Sequence, residues 1–418
     1  MATTPSTPTS GTVVTLRKSK RGRYHLVSHA KLRNNLLAGV GYLELANAGD
    51  FAANVWNDIP VPRHAMILMA IGGPIALLVS LVAARDFYLS WKNVSILRSE
   101  RNALRSHPAP SQREICVLGV NFRELGTELI DRVLMDVLLG IGALLVGAGT
   151  IMAIWGADPE IFKTSNLLSG FLGNSLAAFF GIVNAVWSGY LVYRFHVRCT
   201  ACLHNPAVDA LRPKLQTRFR RLQWHSAING VNGLVAGMAS MVTARMWWGY
   251  VVLIPCVVVM IAGNLYWRKK LGYDRRVSMD LFETVLDREK DIGNDVACDQ
   301  ILDSLAAVTE ALGRLQYMAE VGDIDNVIQY IQENDMVEAF CVWLAEKWPA
   351  YRIFDASEPF ICIASEDLKN GSEEERSRIT SECRAFLQTQ GRVILDHRER
   401  YLLELIGEHM WIKQKIDA

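Results

Sequence analysis

The chain has 418 residues, half of them hydrophobic, and 44 Lys and Arg nearly balance 43 Asp and Glu to leave a net charge of +1. Length suggests two or three domains, a positive mean hydropathy fits a chain that is part membrane and part soluble, and the balanced charge gives no sign of a nucleic-acid partner. The balance conceals a division, because residues 1–279 carry +16 and residues 280–418 carry −15.

Residues 1–12, MATTPSTPTSGT, are low in complexity and expected to be disordered. Arg17, Lys18, Lys20, Arg21, Arg23, Lys31 and Arg33 follow with no acidic residue before Glu44. This composition suits either a mitochondrial transit peptide or a polybasic arm on a membrane surface, and the missing cleavage pattern favours the arm. Residues 1–63 are therefore read as a basic N-terminal arm, and a segment around Leu36 to Ala48 as partly inserted at most, since Glu44, Gly39 and Gly41 interrupt it.

A helix rising ~1.5 Å per residue needs about 20 apolar residues to cross ~30 Å of hydrocarbon. Five stretches meet that length: about 65–84, 133–157, 164–193, 226–244 and 246–267, so residues 64–276 are expected to form the transmembrane domain. Gly72, Gly73 and Pro74 are expected to kink the first. Seven Lys or Arg fall within 85–131 and seven more within 194–223, whereas the intervening loops hold only Lys163 and Arg245. The positive-inside rule then assigns these two segments and the C-terminus to the cytosol. Five crossings leave the basic N-terminal arm on the opposite side, a conflict with the same rule. Gly233 and Gly237, four residues apart, suit close helix packing.

From residue 277 the pattern becomes amphipathic and acidic, with apolar positions such as Ile301, Leu305 and Val308 recurring at three and four. Asp323 and the Ser372–Glu375 pair are expected to cap helices. Tyr351 to Ala364 has the composition of an extended segment. Residues 277–418 are thus expected to be a helical cytosolic domain, its charge either solvated or docked onto the chain's own basic loops.

His196, Cys199, Cys202 and His204 lie within nine residues and have the donor types of a zinc site, but no second pair completes it. Cys199 and Cys202 are also juxtamembrane positions suited to S-acylation. Asp287, Glu289, Asp291, Asp295 and Asp299 suggest a calcium loop, yet Ile292 and Cys298 occupy positions that require Gly and Glu. Inside the expected spans, Asp136, Asn166, Asn174, Asn184, Asn229, Asn232 and Asn264 are the polar candidates, with Arg132 one turn from Asp136 as its expected partner. Eight cysteines without a paired framework are expected to be free thiols. Neither a phosphate loop nor a nucleophile elbow is present, so the sequence gives no positive support for an enzyme or for a cofactor.

The run Asn57 to His64, NDIPVPRH, with the long helical tail, resembles multi-pass membrane proteins of filamentous fungi whose roles are not assigned. Some of these accompany biosynthetic gene clusters, so the resemblance implies an accessory membrane role and assigns no residues. The combined expectation is an all-α polytopic protein of about five transmembrane helices in an endomembrane or plasma membrane. It would serve as a non-enzymatic scaffold, with the bilayer, a cytosolic protein bound by the tail and a second copy of the chain as partners. The alternative is a small-solute transporter or channel subunit.

Overall fold

The computed structural model describes residues 13–19, 24–26, 31–37, 43, 45, 48–56, 61–277, 294–348, 351, 360–364, 366–369 and 372–417. The fold is all-α, and the chain divides into two compact units that do not follow the expected domain limits. One joins residues 1–31 to 274–402; the other joins 32–273 to 403–418.

The larger unit opens with a short helix α1 (Phe51–Val55) and continues into α2 (Arg63–Ser106). Helix α2 runs through Pro74 and on to Ser106, so the first apolar stretch and the basic residues after it form one rod. Pro108 and Pro110 lie in the break that follows. Ser111 then accepts from the Glu114 amide while Glu114 accepts from the Ser111 amide, a reciprocal cap that starts α3 (Gln112–Ala153). Helices α4 (Pro159–His204), α5 (Arg212–Thr243) and α6 (Gly249–Leu271) complete the bundle. Helices α3, α4 and α6 contain wide π turns, at Glu128–Leu134, Leu167–Gly173 and Trp267–Leu271.

Four of these helices, α2, α3, α4 and α6, are long and apolar enough to cross a membrane. Helix α5, which carries the expected span 226–244, is not among them, because Asn229 and Asn232 dilute its apolar half. It packs along α4. A Cβ on Gly237 would lie 2.8 Å from the Ala178 Cα, so the small residue is what lets these two backbones approach. Outward faces of the bundle expose Leu78, Leu81, Val186, Val231, Met238 and Val251 by more than half. Contiguous apolar exposure of this kind marks a membrane or partner surface.

Residues 33–37 and 48–54 sit at opposite ends of the bundle. Asn34 Nδ2 donates to the Arg268 carbonyl at 2.9 Å, and the Leu37 amide to Asp86 at 3.0 Å. Asp50 accepts from the Tyr250 hydroxyl at 2.7 Å, and Asn54 donates to the same oxygen. Tyr250 and Arg268 are 18 residues apart on α6, ~27 Å at the helical rise. Between the two ends, Leu43 is fully buried in a cluster with Leu36, Ala83, Met135, Leu139 and Phe180.

The smaller unit holds α7 (Asn294–Glu320), α8 (Ile324–Glu333), α9 (Val337–Lys347), α10 (Glu373–Phe386) and the first part of α11 (Arg392–Asp417). Asp323 caps α8, and Ser372 with Glu375 caps α10 by the reciprocal pair read from the sequence. The apolar stripes meet in a core of Leu305, Val327, Ile331, Phe340, Ile379 and Phe386, while Val393 is exposed. A three-stranded sheet accompanies them in the order β2 (Tyr24–Leu26), β1 (Val13–Lys18), β3 (Phe360–Ala364). Both pairings are antiparallel, with Leu16 opposite Ile361, so part of the basic arm is a strand of this unit. The low-complexity start and residues 287, 289 and 291 of the acidic run lie outside the described residues.

Candidate functional site

The π turn at Glu128–Leu134 bends the helical ladder of α3 where its charged half meets its apolar half. Turns of this kind recur at functional sites, because the extra residue re-aims neighbouring side chains. Arg132 is buried there and binds both Asp86 oxygens at 3.0 Å, Glu128 at 3.0 Å and Asn35 Oδ1 at 2.9 Å. Ser90 and Asn93 of α2 also donate to Glu128, at 2.8 and 3.1 Å. Arg132 is therefore not hydrogen-bonded to Asp136, the partner its spacing suggests: both Asp136 oxygens are buried and, among the described residues, neither accepts from Arg132.

Beside this cluster is a chamber with room for water-sized molecules of about 80 Å³, enough for several waters. Glu124, Thr127, Glu128 and Asp131 of α3 form one wall; His225 and Asn229 of α5 and Asn264 of α6 form another. Met135, Phe180 and Met260 add apolar surface, and Arg33, Asn34 and Tyr273 line it as well. Thr127 Oγ1, Asp131 Oδ1 and Asn264 Nδ2 are buried and make no regular hydrogen bond among the described residues, although the Trp187 indole lies beside the Asp131 carboxyl. Buried polar atoms are normally satisfied, so three orphans around one chamber call for an occupant.

The last part of α11 belongs to this same unit and holds the chamber wall from behind. Arg123 donates to Glu404 and to the Tyr273 hydroxyl, both at 2.6 Å, and that hydroxyl donates to Glu124 at 2.9 Å. Arg218 closes on the other Glu404 oxygen at 2.7 Å. One turn on, Glu408 sits between Arg194, at 2.9 Å, and Arg198. Trp411 stacks on the Arg198 guanidinium at 4.4 Å. Burial works against the Glu404 carboxylate, but Arg123 and Arg218 outweigh it and hold its pKa below the usual value. Across the connected network the carboxylates Asp86, Glu124, Glu128, Asp131, Asp136 and Glu404 face only three buried guanidiniums, Arg123, Arg132 and Arg218.

Most sequence candidates have structural duties elsewhere. Asn184 and Asn229 bond each other reciprocally across α4 and α5, with Asn184 reaching the Asn229 carbonyl and Asn229 the Asn184 oxygen, each at 3.1 Å. Asn232 donates to the Cys256 carbonyl and Asn174 to the Gly170 carbonyl and Thr243, while Gly233 accommodates Asn184. Only Asn229 and Asn264 of the set also line the chamber. Cys199 and Cys202 are buried, whereas His196 and His204 point to the opposite, exposed face of α4. These four residues therefore do not converge, and no metal-binding cluster occurs among the described residues. Burial also withholds both thiols from acylation. The described cysteines are all free. Comparison with known families, with curated protein sequences and with solved structures finds no match to this chain.

Proposed function

We propose that the chain is an integral membrane protein that crosses the bilayer six times with both ends in the cytosol. Its bundle binds a small cationic solute in the carboxylate-lined chamber, as a transporter or channel subunit would. Helices α2, α3, α4 and α6 supply four crossings, and α5, which packs along α4, is counted as a fifth. Asn34 and Asp50 are tied to opposite ends of α6, so the chain passes from one end of the bundle to the other between them, which we count as a sixth crossing. An even count agrees with β1 pairing with β3, since residues 13–18 then share a face with residues 360–364. It also returns Arg17, Lys18, Lys31 and Arg33 to the side that holds the other basic segments, which removes the conflict with the positive-inside rule.

The observation that carries the solute reading is Asp131 Oδ1, buried without a regular hydrogen bond among the described residues, on a chamber that Glu124 and Glu128 also line. Ionisable groups at this depth mark ion and substrate paths. A scaffold whose acidic tail captures a partner is less well supported, because Glu404 and Glu408 are spent on internal pairs.

Titrating the protein in lipid nanodiscs with monovalent cations and small primary amines, while recording the melting temperature, tests this. At least one cation is expected to stabilise it saturably. Asp131→Asn is expected to weaken that binding about tenfold, the loss of one charge-assisted hydrogen bond of ~1.5 kcal/mol. The ligand-free melting temperature should hold. A chamber indifferent to every cation, or an Asp131→Asn variant that binds as well as the parent, would overturn the reading.

A further inference from the structure

A groove of about 1560 Å³, open to solvent, separates α5 from α6. Its lining changes along its length. Ile228, Val259 and Ala262 make an apolar channel, whereas Arg220, Arg221 and Trp224 stand at one end and Tyr266 faces them from α6. Trp224 is 68% exposed, and both arginines are exposed with no ion-pair partner among the described residues. Arg220 and Arg221 lie in the basic segment that precedes the apolar half of α5, at the depth where headgroups meet hydrocarbon.

An unpaired arginine pair beside an indole, above an apolar channel, matches a phosphate attached to an acyl chain: the guanidiniums meet the anion, the channel takes the chain, and the aromatic rings lie at the glycerol level. We propose that this groove is a binding site for an anionic phospholipid of the cytosolic leaflet, with Arg220 and Arg221 on its phosphate. Three groove residues, His225, Asn229 and Met260, also line the chamber, so a single layer of side chains divides the lipid site from the chamber. His225 Nε2 rests 3.3 Å from the Gly263 carbonyl in that partition. The proposal needs the bundle to sit in a bilayer; it does not need the chamber to bind a solute.

Native mass spectrometry of the full chain released from mixed micelles, with equimolar dioleoyl phosphatidylglycerol and dioleoyl phosphatidylcholine, reads the preference directly. One retained phosphatidylglycerol is expected, and Arg220→Gln with Arg221→Gln should reduce its retention about tenfold or more relative to phosphatidylcholine. Gly263→Leu is the companion variant. A Cβ there meets nothing nearer than His225 Nε2 at 4.0 Å, so the side chain narrows the groove without a backbone clash and leaves both arginines in place. It should also reduce retention. Equal retention of the two lipids, undiminished phosphatidylglycerol in both variants, or displacement by inorganic phosphate alone would each overturn the site. A chain that stays soluble and monodisperse without detergent or lipid would instead overturn the membrane reading.

Discussion

Arg132→Met is expected to destabilise the bundle by about 3–5 kcal/mol, the usual result of removing one partner from a buried ion pair. Asp86 is fully buried and would lose both guanidinium contacts, keeping the Leu37 amide at 3.0 Å as its neutral donor. Glu128 would retain Ser90 and Asn93 but no counter-ion. The substitution also leaves Asn35 Oδ1 with only the long Asn93 contact at 3.4 Å, so the segment that leads into the Leu43 cluster loses its shorter anchor. Unfolding in detergent measures the loss. Adding Asp86→Leu to Arg132→Met should restore part of the stability, because it removes the stranded charge and offers apolar contact in its place. A loss below ~1 kcal/mol for Arg132→Met would mean that water reaches the cluster freely.

Glu408→Ala is expected to release the end of α11 from the bundle, again at about 3–5 kcal/mol, since Arg194 and Arg198 would be left buried without their carboxylate. Glu374→Ala, on an exposed face of α10, should leave stability nearly unchanged. Acid should act on the neighbouring pair in the same way. The Glu404 pKa is lower in the folded protein than its ordinary value of 4.5. Its contribution is therefore fully present above that value and is lost as pH falls through the lower folded one. The melting temperature should decline below about pH 4.5, and Glu404→Gln should flatten that part of the profile. Hydrogen exchange confined to residues 403–417 would locate the change.

The four long apolar helices were legible because an uncharged run of twenty residues can satisfy its backbone in lipid only as a helix. Caps at Asp323 and Ser372 were legible for the same local reason: each rests on residues three apart. What the sequence concealed is non-local. Strand β1 finds its partner 347 residues away, as in the contact of Thr15 with Cys362, and no pattern within Val13–Lys18 names that partner. The acidic tail was expected either to stay solvated or to dock on the basic loops, and two of its residues do dock. A matching signal was present, since Glu404 and Glu408 repeat the four-residue spacing of Arg194 and Arg198, but Arg123 and Arg218 come from separate helices. In the sequence, Glu44 and the glycines of the segment around Leu43 argue against a full crossing; it is Gly72 of α2 that lets the chain pass close, since a Cβ there would lie 2.5 Å from the Gly49 carbonyl oxygen. Asp131 was read as part of a cytosolic connection, and only the continuity of α3 brings it to the chamber.

Labelling in sealed vesicles of known orientation tests the threading most directly. A cysteine-free chain would carry one reactive cysteine at a time: next to residue 1, next to residue 418, or at Glu160, whose side chain is 85% exposed. Six crossings require both terminal cysteines to react with an impermeant maleimide from one compartment and the cysteine at 160 from the other. Terminal cysteines that react from opposite compartments would contradict the proposed even number of crossings, and with it the proposed placing of both ends on one side.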